Sequence, residues 1–177
     1  MKRFARYTGE KVYLAALELN DAEIITKWYN DPDVTWYMDA HREVNSLQAI
    51  REMVDKMTKS NEAFAILDKS NDTLIGYCQC SGFFDFLLGE KDYWHKGYDI
   101  EALGFLLDFG FNIRNHNIIT VCAYSHDVRA LECYKEAGFQ KTNVYRERML
   151  RGRHKYDLIF MDMLASEYFR RGCSHEL

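Results

Sequence analysis

The sequence predicts an α+β domain on a mixed, mostly antiparallel sheet of about seven strands. Three observations predict it. Apolar runs of strand composition recur along the chain, bounded by turn residues. Between them lie stretches with apolar residues at helical spacing. The order is strand, two helices, three strands, helix, strand, helix, two strands. That order allows hairpin pairing at both ends and needs one right-handed strand–helix–strand crossover in the middle.

Val12 to Leu19 reads as the first strand, ending at Asn20-Asp21, a helix cap by composition. Ala22 to Tyr29 forms a short helix that stops before Pro32, because the residue before a proline avoids the α region. Ser46 to about Lys59 is a second helix, with Leu47, Ile50, Met53, Val54 and Met57 on one stripe. Ala63 to Asp68 and Leu74 to Cys80 are strands joined by the turn Lys69-Ser70-Asn71-Asp72. Ser81-Gly82 turns the chain into a further strand, Phe83 to Leu88. Leu103, Leu106, Leu107, Gly110 and Phe111 mark the third helix. Ile118 to Tyr124 is a strand, followed by a helix and two strands, about 140–149 and 155–164, joined at Arg151-Gly152-Arg153. The tail from Arg170 to Leu177 is polar and expected to fray.

At 177 residues the chain suits one domain, 1–177, with a sizeable core. Hydrophobic residues make up 47% and charged residues 28%, a soluble globular balance. A formal charge of −4 argues against a nucleic-acid binder driven by bulk electrostatics and suits a cationic substrate. No run reaches membrane-spanning length, and Met1 to Lys11 lacks the apolar core of a signal peptide. The five cysteines include no CxxC pair, and the histidines His41, His116, His126 and His154 are scattered. These features point to free thiols in a reducing cytoplasm, no metal, and histidines at surface or cap positions.

The most informative stretch is Tyr93-Trp94-His95-Lys96-Gly97-Tyr98-Asp99, set between a strand and a helix. The first amides of a helix lack internal partners and sit at the positive end of its dipole, so such a loop can cradle a phosphate. A second motif follows the next strand: Asp127, Ala130, Tyr134, Gly138 and Phe139, with Cys133 about 100° round the helix from Tyr134.

In this order and spacing the two motifs resemble those of the GNAT acyltransferases. The closest likeness is to the branch acting on ribosomal-protein termini, spermidine and amino sugars. That family carries (Gln/Arg)-x-x-Gly-x-(Gly/Ala), then Asn-x-x-Ala-x-x-x-Tyr-x-x-x-Gly-Phe. Gly97, Ala130, Tyr134, Gly138 and Phe139 match in place, with further echoes at Trp28 to Asp33 and Tyr156 to Leu164.

The resemblance implies a three-layer fold with helices on both faces of the sheet. It also implies acetyl-CoA as acyl donor and a homodimer as a common assembly, although no segment identifies an interface. Tyr134 would be the general acid, since a phenol of pKa about 10 keeps its proton for a departing thiolate. The backbone from Trp94 through His95, Lys96, Gly97 and Tyr98 to Asp99 would hold the pyrophosphate, with Asp127, Ala130 and Lys135 nearby. The strand Phe86, Leu87, Leu88, Gly89 would pair with the pantetheine arm, an amide near Leu87 polarising the thioester.

Departures stand out. Trp94 and His95 replace more usual residues, Ala15 and Ala16 replace a common Arg-Pro, and two acids, Asp99 and Asp127, enter the cofactor groove. Two unit charges ~5 Å apart repel by roughly 3 kcal/mol at an effective dielectric of ~20. Asp99 is therefore read as pointing outward from the first helical turn; otherwise CoA binds weakly, or Lys96, Arg129 and Lys135 offset the two acids. Asp85 is the nearest candidate base by position, the alternatives being an exposed acid or a water route. For the acceptor, Trp28, Asp33, Trp36 and Tyr37 lie in a segment rich in aromatics and acids, suited to an ammonium or a sugar. The resulting expectation is direct acetyl transfer to a primary amine of a small molecule: a polyamine, amino sugar or antibiotic. A ribosomal-protein terminus as acceptor, and a non-catalytic binding module, remain alternatives.

Overall fold

The computed structural model describes residues 3–172. Eight strands form two antiparallel sheets. The first contains β1 (Ala5–Thr8), β2 (Val12–Ala16), β3 (Ala63–Asp68), β4 (Leu74–Cys80) and β5 (Phe84–Leu88), in that order. The second places β8 (His154–Leu164) between β6 (Ile118–Tyr124) and β7 (Gln140–Arg151). A parallel bridge between Phe83 and Thr120, with the Thr120 amide donating to the Gly82 carbonyl at 3.0 Å, joins β5 to β6 at one end only. The expected sheet of about seven strands is thus eight strands split five and three. β1 is the addition, four mostly exposed residues too short and too polar to signal a strand.

Helices cover both faces. Val12 and Leu14 point into a core with Leu103, Leu106 and Phe111 of α4 (Tyr98–Asp108) and its π-turn continuation Phe109–Ile113. Tyr13 and Ala15 point the other way, into a core with Ile25 and Trp28 of α1 (Ala22–Tyr29) and Ile50, Val54 and Met57 of α3 (Leu47–Ser60). Because alternate side chains of a strand face opposite sides, a strand covered twice is apolar throughout, as β2 is. Ser46 caps α3 as its composition predicts, its Oγ accepting from the Ala49 amide at 3.1 Å. Asp21 differs: it sits in a preceding 3-10 turn and binds Arg3 instead of capping α1 through its side chain.

Pro32 opens a short helix, α2 (Pro32–Thr35), where its missing amide costs nothing. A sixth helix, α6 (Ala165–Arg170), follows β8, and Arg171 donates to the Ala137 carbonyl at 2.7 Å. The tail expected to fray from Arg170 is therefore docked as far as Arg171; residues 173–177 lie outside the described residues. Among the described residues no helix is long and apolar enough to cross a membrane.

Candidate active site

β5 and β6 are bonded at one end and diverge, so β5 presents an unpaired edge to the gap. The Gly89 amide donates to the Ile75 carbonyl at 2.9 Å, in register with the β4–β5 pairing. Backbone groups of an antiparallel strand alternate sides, so Leu87 and Asp85 direct their amides to β4 while Phe86 and Leu88 direct theirs into the gap. The Leu88 carbonyl, which accepts from Trp94 Nε1 at 2.8 Å, agrees with this parity. The amides that face the gap are therefore those on either side of Leu87, where the polarising amide was expected.

The gap opens into a cavity. One end is bordered by Trp94, Asp99, Asp127, Arg129 and Ala130; Tyr134, Cys133, Cys122 and Asp85 lie along it; Val34, Tyr37 and Met38 roof the other end. The loop before α4 supplies donors. His95 and Gly97 both adopt left-handed backbone, at φ 59° and 80°. Glycine takes that conformation without strain. Among the described residues none of the amides of His95, Lys96, Gly97, Tyr98 and Asp99 has a backbone acceptor. A run of free amides at left-handed turns ahead of a helix forms an anion-binding concavity, which fits a pyrophosphate. The Trp94 amide is not part of it, being bonded to the Lys91 carbonyl at 3.1 Å.

Asp99 does not point outward. It is 8% exposed and borders the cavity, its Oδ2 3.3 Å from Arg129 Nη1. The Arg129 guanidinium in turn lies 5.0 Å from the centroid of the Trp94 ring. Of the three cations weighed as an offset to Asp99, only Arg129 pairs with it. Among the described residues Lys96 makes no ion pair with Asp99. Lys135 borders a separate cleft with Gly138 and Arg171. Asp127 caps α5 (Val128–Ala137), its Oδ1 accepting from the Ala130 amide at 3.1 Å. Its carboxyl is held above the ordinary value by burial.

Tyr134 is buried on α5, its ring edge-on to Phe139 at 5.9 Å. Burial and the nearby Asp127 push its phenol well above its ordinary value. Cys133 borders the same cavity, so the expected turn away from Tyr134 does not remove it. The cavity is wide enough to meet a quarter turn of the helix, and burial lifts the Cys133 thiol to about 12. Cys122 on β6 is pushed to about 11 by burial, with Asp39 and Asp85 adding to the rise. Both thiols are protonated at neutral pH and are poor nucleophiles.

Asp85 is an exposed side chain open to the cavity. Desolvation by the cavity walls raises its carboxyl, opposed by the Phe86 amide. Among the described residues no cation pairs with it.

The acceptor segment is divided by the fold. Trp28 is a core residue, 4% exposed, with its Nε1 donating to Glu90 Oε1 at 2.8 Å. A Cβ at Gly89 would overlap its ring, so Trp28 packs under the end of β5 instead of facing a ligand. Asp33 lies at the outer rim with Trp36 and Tyr37, where Lys91 Nζ bridges it and Asp31 at 2.8 and 2.9 Å. Tyr37 borders both this cleft and the main cavity.

The roof is tied down by residues to which sequence reasoning assigned no role in the site. Tyr124 donates to Asp39 Oδ1 at 2.7 Å, and Arg151 Nη2 donates to the Met38 carbonyl at 2.5 Å. His126 sits between the rings of Tyr37 and Tyr156, at 5.4 and 4.0 Å, with Nε2 3.2 Å from the Trp36 carbonyl oxygen. It is half-buried against the roof, with ring contacts on two sides. Only the aromatic richness of 28–43 hinted at this cluster, since its partners come from strands over 80 residues away.

A splayed strand pair with free amides, a protonated phenol and a carboxyl in one cavity is the layout of an acyl-transfer site. Residues 11–140 match the acetyltransferase (GNAT) domain model, and the chain belongs to that family. It is an N-acetyltransferase, an enzyme acting on amines. An uncharacterised N-acetyltransferase, p20, of Bacillus licheniformis is 27% identical to it over 90% of this chain and 96% of its own. The crystal structure of a Bacillus anthracis GNAT acetyltransferase superposes with a TM-score of 0.77 at 18% identity, covering 90% of this chain and 98% of that one. The spermidine N-acetyltransferase of Vibrio cholerae, solved with CoA and spermine, superposes at 0.76 with 22% identity over 89% and 98%.

Proposed function

We propose that the enzyme takes its acetyl group from acetyl-CoA and passes it to a primary amine of a small molecule, by direct attack in a ternary complex. The observation that carries this reading is the shared cavity, bordered by the gap-facing edge of β5, by Asp85 and by Tyr134. Acetyl-CoA supplies an activated acetyl thioester. The free amides of 95–99, with Arg129, hold its anionic portion. The Phe86 and Leu88 amides donate toward the reacting carbonyl oxygen and favour the charge that builds there. Asp85 attracts the acceptor ammonium and, once ionised, takes its proton directly or through water. Tyr134 keeps its own proton and gives it to the departing sulfur.

The roof of Val34, Tyr37 and Met38 supports a small acceptor over a protein terminus, which needs an open groove. The polyamine-acting neighbour supports the amine class, within which a polyamine, amino sugar or antibiotic fits. The pairing of Asp99 with Arg129 weakens the non-catalytic alternative. Free cysteines suit the cytoplasm as its compartment.

Calorimetric titration with acetyl-CoA, followed by a thiol-release assay across a panel of amines, tests the reading. Micromolar binding and amine-dependent release are expected. Absence of binding overturns it.

A further inference from the structure

The charge of this chain is unevenly placed. Residues 146–155 hold five of its 23 Lys and Arg and one of its 27 acids, so this hairpin shoulder is basic on an otherwise acidic molecule. Its geometry is irregular where the charge begins. The β7–β8 pairing runs to Tyr145↔Leu158 and resumes at Met149↔Tyr156, leaving Arg146, Glu147 and Arg148 opposite Asp157 alone. Glu147 takes a left-handed φ of 52°, and its amide donates to Asp157 Oδ1 at 2.8 Å. A bulge of this kind bends its strand and re-aims the side chains it carries.

The bulge stands beside the acceptor end of the cavity. Asp157 is bonded to Ser125 in both directions, which ties the bulge to the β6–α5 junction. Further along the same hairpin, Arg151 holds the Met38 carbonyl and Tyr156 packs on His126, so β7 and β8 buttress the roof. Arg148 also acts on the Tyr124 hydroxyl, opposing the effect of Asp39. Glu147 is neutralised by Lys155 at 2.6 Å. Arg146 and Arg148 are exposed, and among the described residues neither has a carboxylate partner.

The acids of the roof are already engaged. Lys91 bridges Asp31 and Asp33, and Asp39 accepts from Tyr124, which among the described residues leaves Asp85 as the one cavity carboxylate with neither a cation nor a capping role. One unpaired acid inside and two exposed arginines on the adjoining bulge make a poor receptor for a polycation. They suit a molecule with an ammonium at one end and an anion at the other.

We infer that the acceptor is a small amine that also bears a carboxylate or phosphate, received by Arg148 with Arg146 beside it while the amine enters toward Asp85. This rests on the acetyl-transfer reading above and narrows its acceptor class, setting the polyamine aside.

The test compares kcat/KM for aminohexanoate, hexylamine and diaminohexane, with aminoethyl phosphate as the phosphate arm. Native enzyme is expected to favour the two anionic amines over hexylamine by about fivefold or more, the scale of one exposed charge contact. The preference shrinks as salt is added. Arg148→Ala lowers the ratio of aminohexanoate to hexylamine about fivefold, and Arg148→Glu reverses the order in favour of diaminohexane. Arg153→Ala, an exposed arginine at the hairpin tip, leaves the ratio as it was. A native preference for diaminohexane, or a ratio insensitive to Arg148, overturns the inference while leaving acetyl transfer intact. Failure of all four amines together with failure to bind acetyl-CoA brings down the transferase reading itself, and the inference with it.

Discussion

Arg129 and Asp99 pair across the mouth of the cavity at 3.3 Å, linking the first turns of α4 and α5. An acid that in isolation would repel a pyrophosphate is thereby offset by a cation held on the face of Trp94. The pair sets the sign of the first prediction.

Arg129→Met is expected to weaken CoA binding by about tenfold or more, because it leaves Asp99 unopposed beside the anion. Asp99→Asn changes binding by less than about threefold, since its charge is already offset. Folding stability falls by about 2 kcal/mol in Arg129→Met, below the ~3–5 of a fully buried pair because Arg129 keeps some solvent. Calorimetry and urea unfolding of both variants and the double variant check this; equal effects of the two single changes would sink it.

Tyr134→Phe keeps the ring and removes the proton. The expected loss is about 10²-fold or more in kcat, with the dissociation constant for acetyl-CoA unchanged. A variant with normal kcat assigns the proton transfer elsewhere.

Asp85 carries a pH signature of known sign. Its carboxyl is raised by the desolvating walls of the cavity although the side chain itself is exposed, so the folded state holds the proton more tightly than the unfolded one. The associated stability is complete below the ordinary carboxylate pKa and is lost as pH rises through the folded value. Asp85→Asn should therefore raise the melting temperature at neutral pH, and the gain should disappear in acid. Activity runs the opposite way: kcat/KM of the native enzyme climbs as Asp85 ionises, above the usual carboxylate range, and Asp85→Asn loses that limb. Paired melting curves and pH–rate profiles decide it.

The two tryptophans of the acceptor segment should separate. Trp28→Ala removes a buried indole and its bond to Glu90, at a cost of about 3–5 kcal/mol. Trp36, exposed and under the Arg151 guanidinium, should alter KM for the amine with less than about 1 kcal/mol of stability lost on replacement by alanine. If Trp28→Ala folds normally and changes only KM, its placement in the core is wrong.

Periodicity carries far in this chain. α1, β3, β4 and β6 begin and end where spacing and turn residues put them, because those signals are local. Gly97 announced the loop before α4, and the spacing from Ala130 to Phe139 announced α5 with Tyr134 facing the cavity, because a helix fixes side-chain direction from sequence separation alone. β1 and α6 escaped notice, being short and held mainly by what they pack against.

What the sequence determined by itself is the set of elements, the loop whose amides lack acceptors, and the residue types that can move a proton. Only the tertiary structure decided which of those residues meet. It buried Trp28, turned Asp99 inward to Arg129, aimed the amides beside Leu87, not its own, into the gap, and brought Tyr124, His126 and Arg151 onto a roof formed by residues 34–41. The physical reason is range. Propensity, capping and periodicity act within a few residues, whereas the side one strand edge faces, and the charge found across a cavity, depend on how far β5 and β6 diverge once both cores are packed.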